Sequence, residues 1–137
     1  MSSVKRPLRV LFVCVENSNR SQMAQAFARL AGAEAYSAGS RPSGRVNPKA
    51  IAAMSELGYD LQAHTSKSLA ELPPVEFDAA VTMGCGDACP HVRARLREDW
   101  QIPDPRAMDA AEFNAVRDSI AAHVSALLER CRASASV

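Results

Sequence analysis

Short apolar runs alternate along the chain with segments whose apolar residues have helical spacing. The first run, residues 10–14, ends at Cys14, and a polar loop separates it from a segment that begins at Ser21. There the apolar side chains recur at i, i+3, i+4 and i+7, which predicts a helix from Ser21 to Gly32 with one buried stripe. The stripe consists of Met23, Ala26, Phe27 and Leu30. The pattern therefore predicts a buried strand that leads directly into a helix.

The remaining pattern predicts three more strands and two more long helices. The strands are expected at residues 34–38, 77–83 and 93–100. Asn47 and Pro48 predict the start of a helix that ends at Gly58, because Asn caps free N–H groups and Pro suits the first helical position. One helical turn is expected at residues 68–72, and Asp109 is predicted to cap a last helix over residues 110–132. The apolar face of this helix comprises Phe113, Val116, Ile120, Val124, Leu127 and Leu128.

This alternation predicts an α/β fold, with an open, mostly parallel, four-stranded sheet and helices on both faces in three layers. The chain has 137 residues and no linker long enough to divide it, so a single domain over residues 1–137 is expected. Ligands of such sheets bind beyond the carboxyl ends of the strands. Cys14 and the segment after Met83 both follow a predicted strand, so we expect them to meet over one site.

Charge and hydropathy exclude several kinds of partner. The net charge is +1 with 23% charged residues, which indicates neither nucleic acid nor an anionic membrane as a partner. The longest apolar run, residues 8–15, contains Arg9 and is much shorter than the roughly 18 residues of a membrane span. It also lacks the cleavage site of a secretory signal. We therefore expect a cytoplasmic protein. A monomer is also expected.

The candidate chemistry begins at Cys14, which is followed by five residues and then by Arg20 and Ser21. Free N–H groups at a helix N-terminus attract anions, and the planar guanidinium of Arg20 can contact two oxyanion oxygens. Both groups favour the thiolate form of a cysteine. Cys14 is therefore predicted to attack a bound oxyanion, with Ser21 as a hydrogen-bond partner. The alternative is that Cys14 is only a small buried hydrophobe that ends a strand.

The loop itself is predicted to hold the oxyanion. Its side chains are small or polar, and Asn17 is expected to fix the tight turn by bonding its own backbone. Ser18 is expected to hydrogen-bond the thiolate or the oxyanion. The predicted oxyanion-binding residues are Val15, Glu16, Asn17, Ser18, Asn19 and Arg20.

The other cysteines indicate redox chemistry rather than a structural role. The four cysteines are too unevenly spaced for a disulfide framework. A zinc site normally needs two close pairs of ligands and only one such pair is present, so no metal is expected. Gly84 and Gly86, on either side of Cys85, would let the segment from Cys85 to Cys89 bend as a disulfide requires. A pair of unreactive surface thiols is the alternative. Cys131 is expected to be a bystander.

Asp104 is the candidate general acid. It lies between Pro103 and Pro105, and each proline fixes its own backbone angle and restricts its predecessor. A carboxyl group held in this way beside the loop can protonate an oxygen leaving group. The alternative is an aspartate that merely begins a turn.

Residues 14–21, Cys-Val-Glu-Asn-Ser-Asn-Arg-Ser, resemble the phosphate loop of the low-molecular-weight tyrosine phosphatase superfamily. Residues 17–24 resemble its arsenate reductase branch more than its phosphatases. The resemblance continues through residues 37–39, 47–48, 81–90 and 99–105, and Asp104 matches the superfamily's Asp-Pro loop. It implies arsenate as the substrate, with phosphate or sulfate as mimics, and a role in arsenical resistance.

The expected reaction is a thiol relay. Cys14 attacks arsenate, Cys85 attacks Cys14 as arsenite leaves, and Cys89 moves the disulfide to Cys85–Cys89. No bound cofactor is expected, because a reduced thiol donor supplies the electrons. The resemblance implies thioredoxin or a similar redoxin, while glutaredoxin with glutathione and mycothiol with its redoxin stay open.

Several alternatives remain. One is a phosphatase for aryl phosphates, disfavoured by the Cys85 and Cys89 pair and by an aromatic content of only 5%. The others are an arsenate–mycothiol transferase, which the short spacing of that pair resembles, and a non-catalytic oxyanion-binding module. Some reductases of this superfamily bind potassium through acidic side chains. Gln25 and Lys67 stand at the matching positions, which predicts no potassium site.

Overall fold

The computed structural model describes residues 7–83 and 93–135, which include a four-stranded sheet. Its strands are β1 (Arg9–Cys14), β2 (Glu34–Gly39), β3 (Phe77–Thr82) and β4 (Ala94–Asp99). The strand order is β2-β1-β3-β4, and every neighbouring pair is parallel. The predicted α/β fold with a four-stranded parallel sheet is therefore confirmed, including its edge strand β4.

Three α-helices connect and flank these strands: α1 (Arg20–Leu30), α2 (Pro48–Ser55) and α3 (Ala110–Ala135). Two 3₁₀ turns, Leu61–Ala63 and Leu69–Glu71, lie between α2 and β3. Both predicted caps are present, because Asn47 Oδ1 accepts from Lys49 N and Asp109 Oδ1 accepts from Glu112 N, each at 2.8 Å. These bonds satisfy N–H groups of the first helical turn that have no partner within the helix.

The two faces of the sheet pack against different layers. Val10 and Phe12 of β1 belong to the core that α1, α2 and α3 complete. Leu11 and Val13 face the opposite side, where the second 3₁₀ turn and the segment after it contribute Leu69, Leu72 and Val75. Because both faces of β1 are buried, the strand is apolar at every position from 10 to 14. Within the described ranges, the helical cover of the second face is this 3₁₀ turn rather than a long α-helix.

Some local expectations differ from the structure. The first helix begins at Arg20, one residue before the predicted start, and α2 ends at Ser55, with turn residues continuing to Gly58. Leu30 was expected in the buried stripe, but 59% of it is exposed. The prediction for Leu30 was wrong because this residue is the last of α1, and the chain turns away at Gly32, where φ is +92°.

The parallel strands bring the candidate chemistry to one edge. Cys14, at the end of β1, lies in register with Gly39, at the end of β2. Met83 N follows β3 and donates to Val13 O at 2.8 Å, so the chain after β3 leaves from the same edge. None of the helices in the described ranges combines the length and the apolar character that a membrane span requires.

Candidate active site

The loop between β1 and α1, residues 15–19, is called the anion loop here. Each of its carbonyl groups accepts a hydrogen bond from a group outside the loop. Three accept from the backbone of residues 41–47: Arg41 N to Val15 O at 2.8 Å, and Ser43 N to Glu16 O and Asn47 N to Ser18 O, both at 3.0 Å. The remaining two accept from α1: Gln22 Nε2 to Asn17 O at 2.9 Å and Met23 N to Asn19 O at 3.0 Å.

The N–H groups on the opposite sides of these peptide groups are available to an anion. Across residues 7–83 and 93–135, no protein acceptor receives the N–H groups of residues 16–19. Successive backbone N–H groups of this kind form a concave anion-binding nest, and the N-terminus of α1 adds its partial positive charge. The predicted use of this loop for an oxyanion therefore has a backbone basis.

Gly39 allows β2 to pass close to the anion loop. A Cβ atom at position 39 would lie 2.6 Å from Val15 O and 3.0 Å from Asn17 N, both of which are backbone atoms. Gly39 N also donates to Lys67 O at 2.9 Å, so the strand end is fixed on its other side. A side chain at this position would push the anion loop out of place.

Two hydrogen bonds that share the Ser21 hydroxyl connect the Cys14 thiol to the side chain of Asn17 in the anion loop. Cys14 Sγ lies 2.8 Å from Ser21 Oγ, and Asn17 Nδ2 donates to the same oxygen at 2.9 Å. Because the Asn17 amide donates to Ser21 Oγ, the hydroxyl proton of Ser21 is free to point at sulfur. A donated bond stabilises a thiolate more than a thiol. This arrangement agrees with the expected partnership between Ser21 and Cys14.

Asn17 supports the loop from within, but not through its own backbone as expected. Its φ is +52°, a left-handed conformation that Asn tolerates better than most residues. Its Oδ1 accepts from Lys67 N at 2.9 Å and from Gln22 Nε2 at 3.0 Å. Asn17 is fully buried, so its contribution to anion binding is limited to its backbone and to this support.

A buried histidine extends this network, and the sequence did not reveal its partners. His64 Nδ1 lies 2.9 Å from Gln22 Oε1, and His64 Nε2 lies 2.6 Å from the Tyr59 hydroxyl. Because an amide oxygen can only accept, Nδ1 carries the proton, and neutral Nε2 accepts from Tyr59. Burial, followed by the charges of Arg29 and Lys67, lowers the pKa of His64 to about 4. His64 thus has a structural role.

We expect acid to weaken the fold through His64. The unfolded chain takes up this proton near pH 6.5 and the folded protein only near pH 4, so stability falls as the pH drops from 6.5 to 4. The full effect is about 3 kcal/mol. Urea unfolding from pH 7 to pH 4.5 should show a smaller loss for His64→Gln than for the unaltered protein. His123→Gln, on exposed α3 surface, is the matched control; an equal loss in all three proteins would contradict the prediction.

Arg20 connects the anion loop to the segment that carries Asp104. Its Nη1 donates to Ile102 O at 2.8 Å, and the side chain is buried. A guanidinium has five N–H donors, so the others stay available to an oxyanion. This bond places the segment before Asp104 against the start of α1.

One cavity of about 350 Å³ brings most of the predicted site residues together. Its lining comprises Cys14, Val15, Glu16, Ser18, Asn19, Arg20, Asp104 and Arg106. Asn19 adds a buried Oδ1 for which the described residues provide no hydrogen-bond donor. The predicted nucleophile and the predicted acid, Asp104, thus face the same cavity.

Arg106 was missed by the sequence reasoning. Its backbone N–H donates to Asp104 Oδ1 at 3.0 Å, and its guanidinium contacts both Asp104 and Glu16. The sequence could have indicated it, because Arg106 follows the candidate acid by two residues and its long side chain can reach the same site. Glu16 was predicted as a site residue because it lies in the anion loop. In the structure its carboxylate also forms an ion pair with Arg106.

The Lys67 side chain lies beside β2. Its Nζ donates to Thr65 O at 2.8 Å and to Ser37 O at 3.3 Å, and burial lowers the pKa of this ammonium. Gln25 Oε1 accepts from the Ser37 hydroxyl. No cluster of three metal-ligating side chains occurs within residues 7–83 and 93–135. The expectation of no potassium site stays a prediction.

Cys85 and Cys89 lie outside the described residues, as does His91. Cys131 is buried away from the cavity of Cys14, and its pKa is raised chiefly by burial and then by the charges of Asp78 and Glu98. A protonated, enclosed thiol fits the expected bystander. Trp100 is buried against Phe12 and His123.

Comparison with known proteins gives a consistent result. The glutaredoxin arsenate reductase of Synechocystis sp. is 36% identical over 127 residues, which cover 89% of this chain and 97% of the relative. Arsenate reductase 1 of Staphylococcus epidermidis is 39% identical over 128 residues, which cover 88% of this chain and 96% of the relative.

Comparison with solved structures also finds arsenate reductases. A solved structure described as an arsenate reductase in the phosphate binding state superposes with a TM-score of 0.82 and 35% identity, covering 90% of this chain and 98% of that one. Residues 9–136 match the sequence profile of the low molecular weight phosphotyrosine protein phosphatases. With the cysteine, the anion loop and the arginine in place, this chain belongs to the low molecular weight phosphotyrosine protein phosphatase family.

Proposed function

We propose that this protein reduces arsenate to arsenite, with Cys14 as the nucleophile. The observation that carries the proposal is the contact of 2.8 Å between Cys14 Sγ and Ser21 Oγ in an anion-binding cavity that Asp104 also lines. Relatives that match nearly the whole chain are arsenate reductases. These observations together favour attack of sulfur on arsenate over simple anion binding.

In the first step the Cys14 thiolate attacks arsenic. An S–As bond forms and an As–O bond breaks, and the departing oxygen leaves as water after Asp104 donates a proton. The anion-loop N–H groups and Arg20 neutralise the charge of the remaining oxygens. Arsenic is still pentavalent at this stage, because no electrons have moved to it beyond the new bond.

In the second step the Cys85 thiolate attacks Cys14 Sγ. The new S–S bond releases the electron pair of the S–As bond to arsenic, which leaves as trivalent arsenite. Cys89 then attacks Cys85, so that Cys14 returns as a thiolate and the disulfide lies between Cys85 and Cys89. This relay is proposed from the sequence positions of the two cysteines.

A dithiol redoxin completes the cycle in this proposal by reducing the Cys85–Cys89 disulfide. Two electrons are needed per arsenate, and no bound cofactor takes part. Thioredoxin is our proposed donor. The name of the Synechocystis relative makes glutaredoxin the competing donor.

A coupled assay tests the function and the donor together. The protein is mixed with arsenate, NADPH, thioredoxin and thioredoxin reductase, and NADPH consumption and arsenite are measured. Parallel reactions replace the donor with glutaredoxin plus glutathione, or with mycothiol plus mycoredoxin. Stoichiometric arsenite with thioredoxin supports the proposal. Turnover with another donor only would replace thioredoxin as the proposed partner. If no donor gives arsenite, the proposed arsenate reduction is wrong.

The relay predicts a trapped intermediate in Cys89→Ser. After one turnover with arsenate this variant should hold a Cys14–Cys85 disulfide, because the thiol that resolves it is absent. Peptide mass spectrometry under non-reducing conditions detects the cross-linked pair. Cys131→Ser is the matched control and should accumulate the Cys85–Cys89 disulfide instead. Finding only free thiols in Cys89→Ser would contradict the relay.

Hydrolysis of phosphate monoesters is the second candidate function. The family match and the placement of Asp104 in the cavity favour it, since Cys14 and an acid suffice for phosphoryl transfer to sulfur and then to water. Turnover of para-nitrophenyl phosphate without a redoxin measures this activity. If it exceeded arsenate reduction in kcat/KM, the assignment as a reductase would be reversed.

A further inference from the structure

An ion pair crosses the mouth of the active-site cavity. Arg106 Nη1 lies 3.1 Å from Glu16 Oε2, and Arg106 Nη2 lies 3.6 Å from Asp104 Oδ2. Glu16 and Arg106 are 90 residues apart, so the contact joins two separate walls of the cavity. We call the Glu16–Arg106 contact the rim ion pair.

Exposure separates the rim of this cavity from its floor. The side chains of Arg106, Glu16 and Asp104 are 61%, 43% and 41% exposed. Cys14 and Asn19, which line the same cavity, are 3% and 5% exposed. The sulfur therefore lies at the bottom, and the rim ion pair lies where a ligand enters.

Stability does not account for the rim ion pair. Exposed ion pairs contribute about 0–1 kcal/mol to folding. A carboxylate in a loop that binds anions also repels the ligand. Glu16 is compatible with that loop because the Arg106 guanidinium offsets its charge. The pair holds two flexible side chains across the entrance and offsets the charge of Glu16.

We propose that the rim ion pair makes the site selective for small inorganic oxyanions by obstructing the entry of phosphate monoesters with bulky alcohol groups. The inference rests on the proposed function, because arsenate is such an oxyanion. A free tetrahedral oxyanion carries no group beyond its own oxygen atoms, so once bound at the floor of the cavity it does not reach the rim. An aryl ester attached to the same floor extends its ring through the mouth, so it displaces the pair.

The test measures binding rather than turnover. In a Cys14→Ser background, calorimetric titration gives the Kd of inorganic phosphate and the Kd of phenyl phosphate. The ratio of the first Kd to the second should rise about threefold to fivefold when Glu16→Ala and Arg106→Ala are combined, because displacing an exposed ion pair costs no more than that. Arg9→Ala is the matched control. It breaks an ion pair of 3.0 Å with Glu34 at the other end of β1, and its ratio should stay at the parent value.

The single variants separate obstruction from charge. Arg106→Ala leaves Glu16 uncompensated, so phosphate should bind about fivefold more weakly than in the double variant. If the double variant does not fold, the ratio of the two Kd values is measured for Arg106→Ala instead. This ratio should also exceed that of the Arg9→Ala control. An unchanged ratio in the variants overturns the inference. Because no turnover is involved, a failure of arsenate reduction in the coupled assay is a separate result.

Discussion

Cys14→Ser is expected to abolish arsenate reduction, with a loss of at least about 10⁴-fold in kcat/KM. A serine hydroxyl is not ionised near neutral pH, so it is a far weaker nucleophile than a thiolate. It also cannot form the disulfide with Cys85 that carries two electrons to arsenic. The loss should therefore persist with every redoxin donor in the coupled assay.

The same substitution should leave anion binding in place. The anion-loop N–H groups and Arg20 do not depend on the sulfur, and a serine can still contact the Ser21 hydroxyl. Titration with inorganic phosphate should give a Kd within a few-fold of that of the unaltered protein. Cys131→Ser, which removes a buried thiol outside the cavity, is the control and should remain active. Retained arsenate reduction in Cys14→Ser would rule out this nucleophile.

Gly39→Ala is expected to have the next largest effect, about 100-fold in kcat/KM. The new Cβ would lie 2.6 Å from Val15 O and 3.0 Å from Asn17 N. Both are backbone atoms, which cannot move aside as the end of a flexible side chain can. The anion loop must therefore shift, and misplacing binding groups by about 1 Å costs about 10²-fold in rate. Phosphate affinity should fall with the rate, because the same N–H groups hold both ligands.

A glycine with a different constraint provides the control for this substitution. Gly58 has a φ of +81°, and a Cβ there would meet nothing within 4 Å. Gly58→Ala should lower the unfolding free energy by about 1 kcal/mol through backbone strain, with little effect on phosphate binding. Urea unfolding and phosphate titration of both variants distinguish a displaced loop from general destabilisation. Equal phosphate affinities in the two variants would contradict the role given to Gly39.

The order of the elements could be predicted because apolar periodicity and end signals act locally. Asn47 and Asp109 cap the helices that they were expected to begin, and the apolar β1 is buried on both faces. Cys14, Arg20 and Asp104 could be selected because their spacing and chemistry are visible in sequence. The structure then placed all three around one cavity.

The remaining features depend on contacts between distant segments. His64 had no partner that spacing could identify, since Gln22 lies 42 residues away and Tyr59 reaches it only across a turn. The exposure of Leu30 depends on where α1 ends rather than on its periodicity. Arg106 could not be paired with Glu16 without knowing that the two segments border one opening.

The outward hydrogen bonds of the anion loop limit how far the motif can be transplanted. Residues 41–47 and the start of α1 hold the carbonyls of residues 15–19, so the ligand-binding orientation of the peptide groups is imposed from outside the loop. A design that grafted only residues 14–21 between a strand and a helix of another protein would reproduce the letters of the motif without its peptide orientation. The smallest portable unit includes the segment from Gly39 to Asn47, and searches based on Cys14 and Arg20 alone will therefore include sequences that cannot form the site.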